Sequence, residues 1–290
     1  MMKFQFLNEN RIKELLKSDI KILKPLHKPL GSSKVGEWLR EHEESGQTFQ
    51  EYLQCKPVLP QGKRRVLYIQ PLGSFSDNQR KIITLTAEFI EAFFNLQTVI
   101  KEEISLLNTP SYAQRTHPRW GDHQILTSYV MRRILKPRIP SDAAAYIAFT
   151  TKDLWPGEGW NFVFGQASLV NRMGIFSIYR YGNPNLTKKE FQICLLRTVK
   201  TGAHEISHIF SLEHCILYKC LMNGSNSQAE SDRKPIACCP ECMAKISWAI
   251  RTNPINRFQK LKEFYEHHGF SDEAKIYQNF IITLTASNPN

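Results

Sequence analysis

The stretch Thr201–Cys220, TGAHEISHIFSLEHCILYKC, places three histidines, two glutamates and two cysteines within twenty residues. His204 and His208 are four apart, so on an α-helix they share one face, one turn apart. That spacing lets two imidazoles meet a single zinc ion. Zinc–nitrogen bonds are about 2.0–2.1 Å long, so the two ligand atoms must come within roughly 4 Å of each other. His214 follows His204 by ten residues. On a continued helix it would lie about 15 Å further along the axis and could not share the ion. If His214 is a ligand, the chain must leave the helix after His208 and turn back. Glu205 stands beside the first histidine, where its carboxylate can reach a water on the ion without binding the metal itself. Zinc with three protein ligands lowers the pKa of such a water to about 7. A neighbouring carboxylate can take the proton and pass it to a leaving amine, which is the chemistry of peptide hydrolysis. An HExxH match alone also describes ordinary solvated or core-satisfied pairs. The third histidine and the cysteines behind it carry the metal reading further.

The chain has seven cysteines, and five of them lie between Cys215 and Cys242. The start of the sequence, MMKFQFLNENRIKELL, carries charges throughout and lacks an apolar core, so it does not read as a signal peptide. Disulfides are then not expected, and clustered cysteines point to metal. Cys215 and Cys220, with Cys239 and Cys242, match a closed all-thiolate zinc site that would staple a loop-rich region. Cys238 competes with Cys239, and the tight C-x-x-C turn to Cys242 favours Cys239. Cys55 and Cys194 are isolated and read as small apolar residues.

A long helix must carry the first two histidines. KKEFQICLLRTVKTGAHEISHIF has apolar residues at Phe191, Leu195, Val199 and Ile206, which form a buried stripe. Upstream, RRVLYIQPL reads as a strand ending at its proline, NQRKIITLTAEFIEAFFNL as a helix and QTVIKEEI as a second strand. HQILTSYVMRRILK reads as a helix and AAYIAFTTKDL as a buried strand. WNFVFGQASLVNRMGIFSIYRYG reads as two strands joined by a polar turn at Asn171. NFVFGQAS is a candidate sheet edge for an extended peptide, with Phe162 and Phe164 either facing that peptide or belonging to the core. After Cys242 the pattern is helical, interrupted at Pro254. Residues 1–60 form an irregular, partly helical lead-in, with NRIKELLKS a short amphipathic helix broken by KPLHKPLGSS.

The bulk composition agrees with a folded protein. The chain has 290 residues, 42% of them hydrophobic, enough for one large domain or two small ones. No run of 18 apolar residues appears, so no membrane span is expected. The net charge of +11 is spread along the chain, with Lys63-Arg64-Arg65 its densest cluster. It reads as a solvated basic surface, and no nucleic-acid-binding signature accompanies it.

The run His204-Glu205-x-x-His208-x-x-Ser211-x-x-His214, then Cys215, Cys220-x-Met222 and Cys239-Pro-Glu-Cys242, resembles the archaemetzincins, a branch of the metzincin zinc peptidases. Trp160–Ser168, Gly174–Gly182 and CLMNGSN from Cys220 to Asn226 add to the resemblance, which covers roughly residues 64–245. It implies that His204, His208 and His214 bind a catalytic zinc, that Glu205 is the general base and that Met222 is the methionine of the Met-turn. It further implies that Cys215, Cys220, Cys239 and Cys242 hold a second, structural zinc. The implied fold is α+β and metzincin-like: a mixed twisted sheet with an active-site helix over a smaller, mainly helical, zinc-stapled lower part. The expected organisation is an N-terminal extension over 1–60 and a catalytic domain over 61–290, with an upper part 61–211 and a lower part 212–290. The expected activity is zinc-dependent hydrolysis of peptide or protein substrates in the cytoplasm or nucleus, without secretion, membrane or nucleic acid. A catalytically silent peptide-binding relative is the first alternative, which an intact Glu205 disfavours. A zinc-stapled interaction module is the second, which the lack of aromatic and basic interleaving around the cysteines disfavours.

One residue departs from the family pattern HExxHxxGxxH, because Ser211 stands at the glycine. An L-residue in a left-handed turn costs roughly 1–2 kcal/mol. On that ground alone, Ser211→Gly is expected to gain modestly in stability.

Overall fold

The computed structural model describes Phe4 and residues 7–287. The strands are β1 (Val66–Leu72), β2 (Thr98–Ile100), β3 (Gln114–Thr116), β4 (His123–Leu126), β5 (Ala143–Thr150), β6 (Asp153–Trp155), β7 (Gly165–Ala167) and β8 (Met173–Ser177). The helices are α1 (Glu9–Leu23), α2 (Trp38–Glu41), α3 (Phe49–Gln54), α4 (Asp77–Phe94), α5 (Thr127–Tyr129), α6 (Lys188–Ile209), α7 (Gln228–Arg233), α8 (Pro240–Ala249), α9 (Pro254–His267) and α10 (Ser271–Ser287). The chain forms two compact units. One comprises Pro60–Glu91 and Leu96–Ile209; the other comprises the residues up to Leu59, Ala92–Asn95 and those from Phe210 onward.

The first unit is built on a mixed five-stranded sheet in the order β2-β1-β5-β8-β7. The first four strands run parallel, and β7 closes one edge antiparallel to β8. β5 is buried at every position, as a strand covered on both faces must be. β1 continues through Pro71 to Leu72, one residue past the expected end. The Pro71 carbonyl accepts from the Ile104 N–H at 3.0 Å, on the side where β2 has already ended, so the missing proline N–H costs no ladder bond. Against β5 and β8 lies a core of Leu72, Tyr146, Ala148 and Ile175 with Val130, Ile134 and Leu135. α6 approaches α4 and β8 at Gly202, where a Cβ would meet Ile90 and Phe176 at 3.4 Å.

The stretch HQILTSYVMRRILK divides differently from the helix expected. His123–Leu126 is strand β4, paired with β3 and β6, and the chain becomes helical only from Thr127, passing into a π-helical turn at Val130–Leu135. Four residues with only Ile125 and Leu126 apolar are too short to show either period, and pairing decided it. The edge strand within NFVFGQAS is also shorter than expected, at Gly165–Ala167. Phe162 and Phe164 precede it and pack on their own chain: their rings are 5.1 Å apart, Phe164 stacks on Tyr181 and Arg180 lies over Phe162.

The second unit is mainly helical. α1 starts at Asn8, whose side chain accepts the Arg11 N–H, and buries Ile12, Leu16 and Leu23. α3 begins with a reciprocal capping box between Thr48 and Glu51 and buries Phe49 and Tyr52. The helical pattern is interrupted just before Pro254, between α8 and α9. Pro254 occupies the first position of α9 after the Asn253 cap, where its missing N–H has no helical partner to lose. α9 and α10 share an aromatic seam in which Tyr265 stacks on Tyr277. Among the described residues, no helix is long and apolar enough to cross a membrane.

Candidate metal centres

α6 carries His204, Glu205 and His208 to its last turn, and it ends at Ile209. The imidazoles of His204 and His208 point at a common locus: their Nε2 atoms are 3.0 Å apart and their rings nearly perpendicular, at 87°. Two nitrogens held this close and aimed together suit a cation between them, since a spacing below roughly 4 Å is what two ligands of one zinc require. His204 and Glu205 are buried, and His208 is half-buried.

Glu205 lies against the edge strand. A Cβ at Gly165, the first residue of β7, would sit 2.5 Å from Glu205 Oε1 and 2.7 Å from its Cγ. Only glycine lets the strand pass this closely. Nearby, the Tyr181 hydroxyl is 2.5 Å from Thr201 Oγ1 on the same helix. Burial pushes the Tyr181 phenol up, and the Glu205 carboxylate adds to that shift, so it stays neutral.

After Ile209 the chain turns at Ser211, with φ 65°. The residue thus occupies the left-handed region that the glycine of the family pattern suggests. Its side chain is engaged as well. The Ser211 hydroxyl accepts the Val58 N–H at 3.0 Å, and the Ser211 carbonyl accepts from the Gln47 amide at 3.3 Å. This changes the expectation for Ser211→Gly. Glycine relieves roughly 1–2 kcal/mol of backbone strain. It also gives up a hydrogen bond worth about 1 kcal/mol and frees the unfolded chain by about 0.4–1 kcal/mol. These terms nearly cancel, so Ser211→Gly should match the parent in thermal midpoint. Ser211→Ala keeps the strained backbone and loses the acceptor, and it should melt lower than both, by about 1 kcal/mol of stability. Equal midpoints for the alanine variant and the parent would show that the hydroxyl contributes nothing.

His214 follows the turn. Its Nδ1 is 2.7 Å from Glu44 Oε1, and its ring meets the Trp38 indole edge-on at 5.0 Å. Burial pushes the Glu44 carboxyl up. The bonds from His214 and Trp38 and the charges of His214 and His42 outweigh burial and hold it below its ordinary range.

The second cluster lies wholly in the mainly helical unit. One sulfur from each of Cys215, Cys220, Cys239 and Cys242 comes within 4.8 Å of the others, and all four residues are buried. Cys239 caps α8, Pro240 follows at its first position and Cys242 lies in its first turn, where the helix dipole favours a thiolate. Cys220 Sγ also accepts the backbone N–H groups of Met222 and Cys239, at 3.4 and 3.2 Å. Hydrogen bonds from the other three thiols push Cys215 down, while Cys220, Cys239 and Cys242 are all pushed up. Four buried thiolates therefore need a cation to coexist, and this donor set suits a dication. Cys238 is buried beside them and Cys194 is buried in α6, while Cys55 is exposed after α3.

Met222 is fully buried, and its carbonyl accepts the Cys215 N–H at 2.8 Å. Asn223 staples this loop. Its Oδ1 accepts the Cys220 N–H at 2.8 Å, and its Nδ2 donates to the carbonyls of Cys215 and Tyr218 at 2.6 and 2.9 Å. Motif reading passed over Asn223, although it lies inside CLMNGSN, and gave no sign of Gly165, Trp38 or Glu44.

Residues 143–248 match the model of peptidase family M54. The chain is 34% identical to archaemetzincin-2 of Rattus norvegicus over 83% of its own length and 75% of that protein's. It is 30% identical to the archaemetzincin of Thermococcus kodakarensis, over 63% of this chain and 95% of that one. The crystal structure of an archaemetzincin from Methanopyrus kandleri superposes with a TM-score of 0.50 at 25% identity, covering 63% of this chain and 93% of that one.

Proposed function

The chain belongs to peptidase family M54, the archaemetzincins, and is a zinc metallopeptidase, and on that premise we propose that it cleaves peptide bonds with Glu205 as general base. His204, His208 and His214 are the ligands of the catalytic zinc in this reading. The observation that carries it is the pair of converging Nε2 atoms, 3.0 Å apart, on the same helix turns as a buried Glu205. Zinc bound there would polarise the scissile carbonyl and lower the pKa of an attacking water to about 7. Glu205 takes that water's proton on a carboxylate oxygen and delivers it to the departing amine. Its closeness to Gly165 sets the carboxylate beside the edge strand β7. An extended peptide adding to this edge would bring its backbone past the general base. Met222 is assigned to the Met-turn by family likeness.

Cys215, Cys220, Cys239 and Cys242 hold a second zinc that closes no reaction and fixes the loop from Cys215 to Asn223 onto α8. The partition proposed is an extension over 1–60 and a catalytic domain over 61–290, divided at 211/212. The substrates are peptides or proteins. None of the seven cysteines is paired in a disulfide, and the compartment proposed is a reducing one, the cytoplasm or nucleus. The test is metal analysis joined to hydrolysis. Two zincs per chain are expected, with activity lost on removal of the more labile ion and restored by one equivalent. One zinc or none would overturn the two-centre reading.

A further inference from the structure

Residues 44–58, far in sequence from the histidines, brace the turn that carries the third of them. The Tyr52 hydroxyl donates to the Phe210 carbonyl at 2.8 Å. Gln47 donates to the Ser211 carbonyl at 3.3 Å and accepts the Glu213 N–H at 3.4 Å. The Val58 N–H bonds the Ser211 hydroxyl. The series ends at Glu44, whose Oε1 lies 2.7 Å from His214 Nδ1. A carboxylate oxygen accepts, so His214 Nδ1 carries a proton and Nε2 is the nitrogen left to face a metal.

Glu44 is itself held. The Trp38 indole N–H donates to the same Oε1 at 2.9 Å. The indole occupies a space open only because residue 224 is glycine, since a Cβ there would collide with its ring. The other Glu44 oxygen, Oε2, is buried and has no hydrogen-bond partner among the described residues. Glu44 as a whole is half-buried, and leaving one of its carboxylate oxygens buried without a partner is a costly choice for packing alone.

We propose that Glu44, supported by Trp38, is a positioning residue that fixes the tautomer and ring orientation of His214 for metal binding. The proposal rests on the three-histidine reading above. It makes the N-terminal segment part of the metal centre, although Glu44 never touches the ion. Carboxylates bonded to the far nitrogen of a metal-bound histidine typically change metal affinity or activity 10–100-fold when removed.

The test compares Glu44→Ala, the isosteric Glu44→Gln and His214→Ala by chelator competition for each zinc. His214 is also followed by 15N-resolved NMR of protein stripped of only the labile zinc. The parent should show the Nδ1–H tautomer. Glu44→Ala should mix the tautomers and weaken one zinc roughly 10–100-fold, leaving the other unchanged. Glu44→Gln, which keeps an acceptor without charge, should fall between. Unchanged tautomer and affinity in both Glu44 variants, beside a weakened His214→Ala, would overturn the proposal alone. Unchanged zinc affinity in His214→Ala would overturn the three-histidine reading and the proposal with it.

Discussion

The Glu205→Ala protein should bind zinc as the parent does and lose peptide hydrolysis. Glu205 acts on protons and does not ligate the ion in this reading, so the converging pair His204 and His208 survives its removal. General acid–base catalysis supplies typically 10²–10⁴-fold, and kcat should fall by about that factor or more while KM changes little. Truncation to alanine also empties the space against Gly165, where the carboxylate fills the position a Cβ would need. Glu205→Gln keeps that shape and removes only the basicity, so it separates the two effects. Both variants should be equally inactive and retain both metals. Appreciable hydrolysis by Glu205→Gln would remove the general-base role. Loss of zinc from Glu205→Gln would mean that the carboxylate is a ligand.

The second large effect is on folding. Cys239→Ser should be strongly destabilised, because a structural zinc contributes its binding free energy to the folded state. Losing a metal site belongs among the few mechanisms that cost more than about 4 kcal/mol. Cys239 also stands at the start of α8 and donates its N–H to Cys220 Sγ at 3.2 Å, so the loop and the helix loosen together. Buried Cys238 is next in the chain and could replace the missing sulfur. The double variant Cys238→Ser/Cys239→Ser removes that escape. The expected readout is a much lower thermal midpoint, insensitive to chelator, with one zinc lost. A midpoint equal to the parent's in the double variant would mean that no thiolate zinc site stabilises the fold.

The sequence by itself determined what depends on neighbours along the chain. The four-residue step from His204 to His208 is a property of helix geometry, so their shared face was readable before any fold was known. The left-handed turn at Ser211 was readable too, because the family pattern has glycine there and backbone sterics admit few conformations at such a site. The apolar spacing in α6 and the all-buried run of β5 made the mixed sheet and its active-site helix legible. Tertiary structure alone decided the contacts that have no period. Glu44 meets His214 across 170 positions, and nothing in a charged lead-in marks one glutamate among several. Gly165 admits Glu205, and Gly224 admits Trp38, only because two distant backbones approach each other there. His123–Leu126 became a strand because β3 and β6 were available to pair with it, against the helix its spacing suggested. Local geometry is encoded in a few adjacent torsions. A distant partner is chosen by the packing of the whole chain, where many weak contacts compete and no single residue announces the outcome.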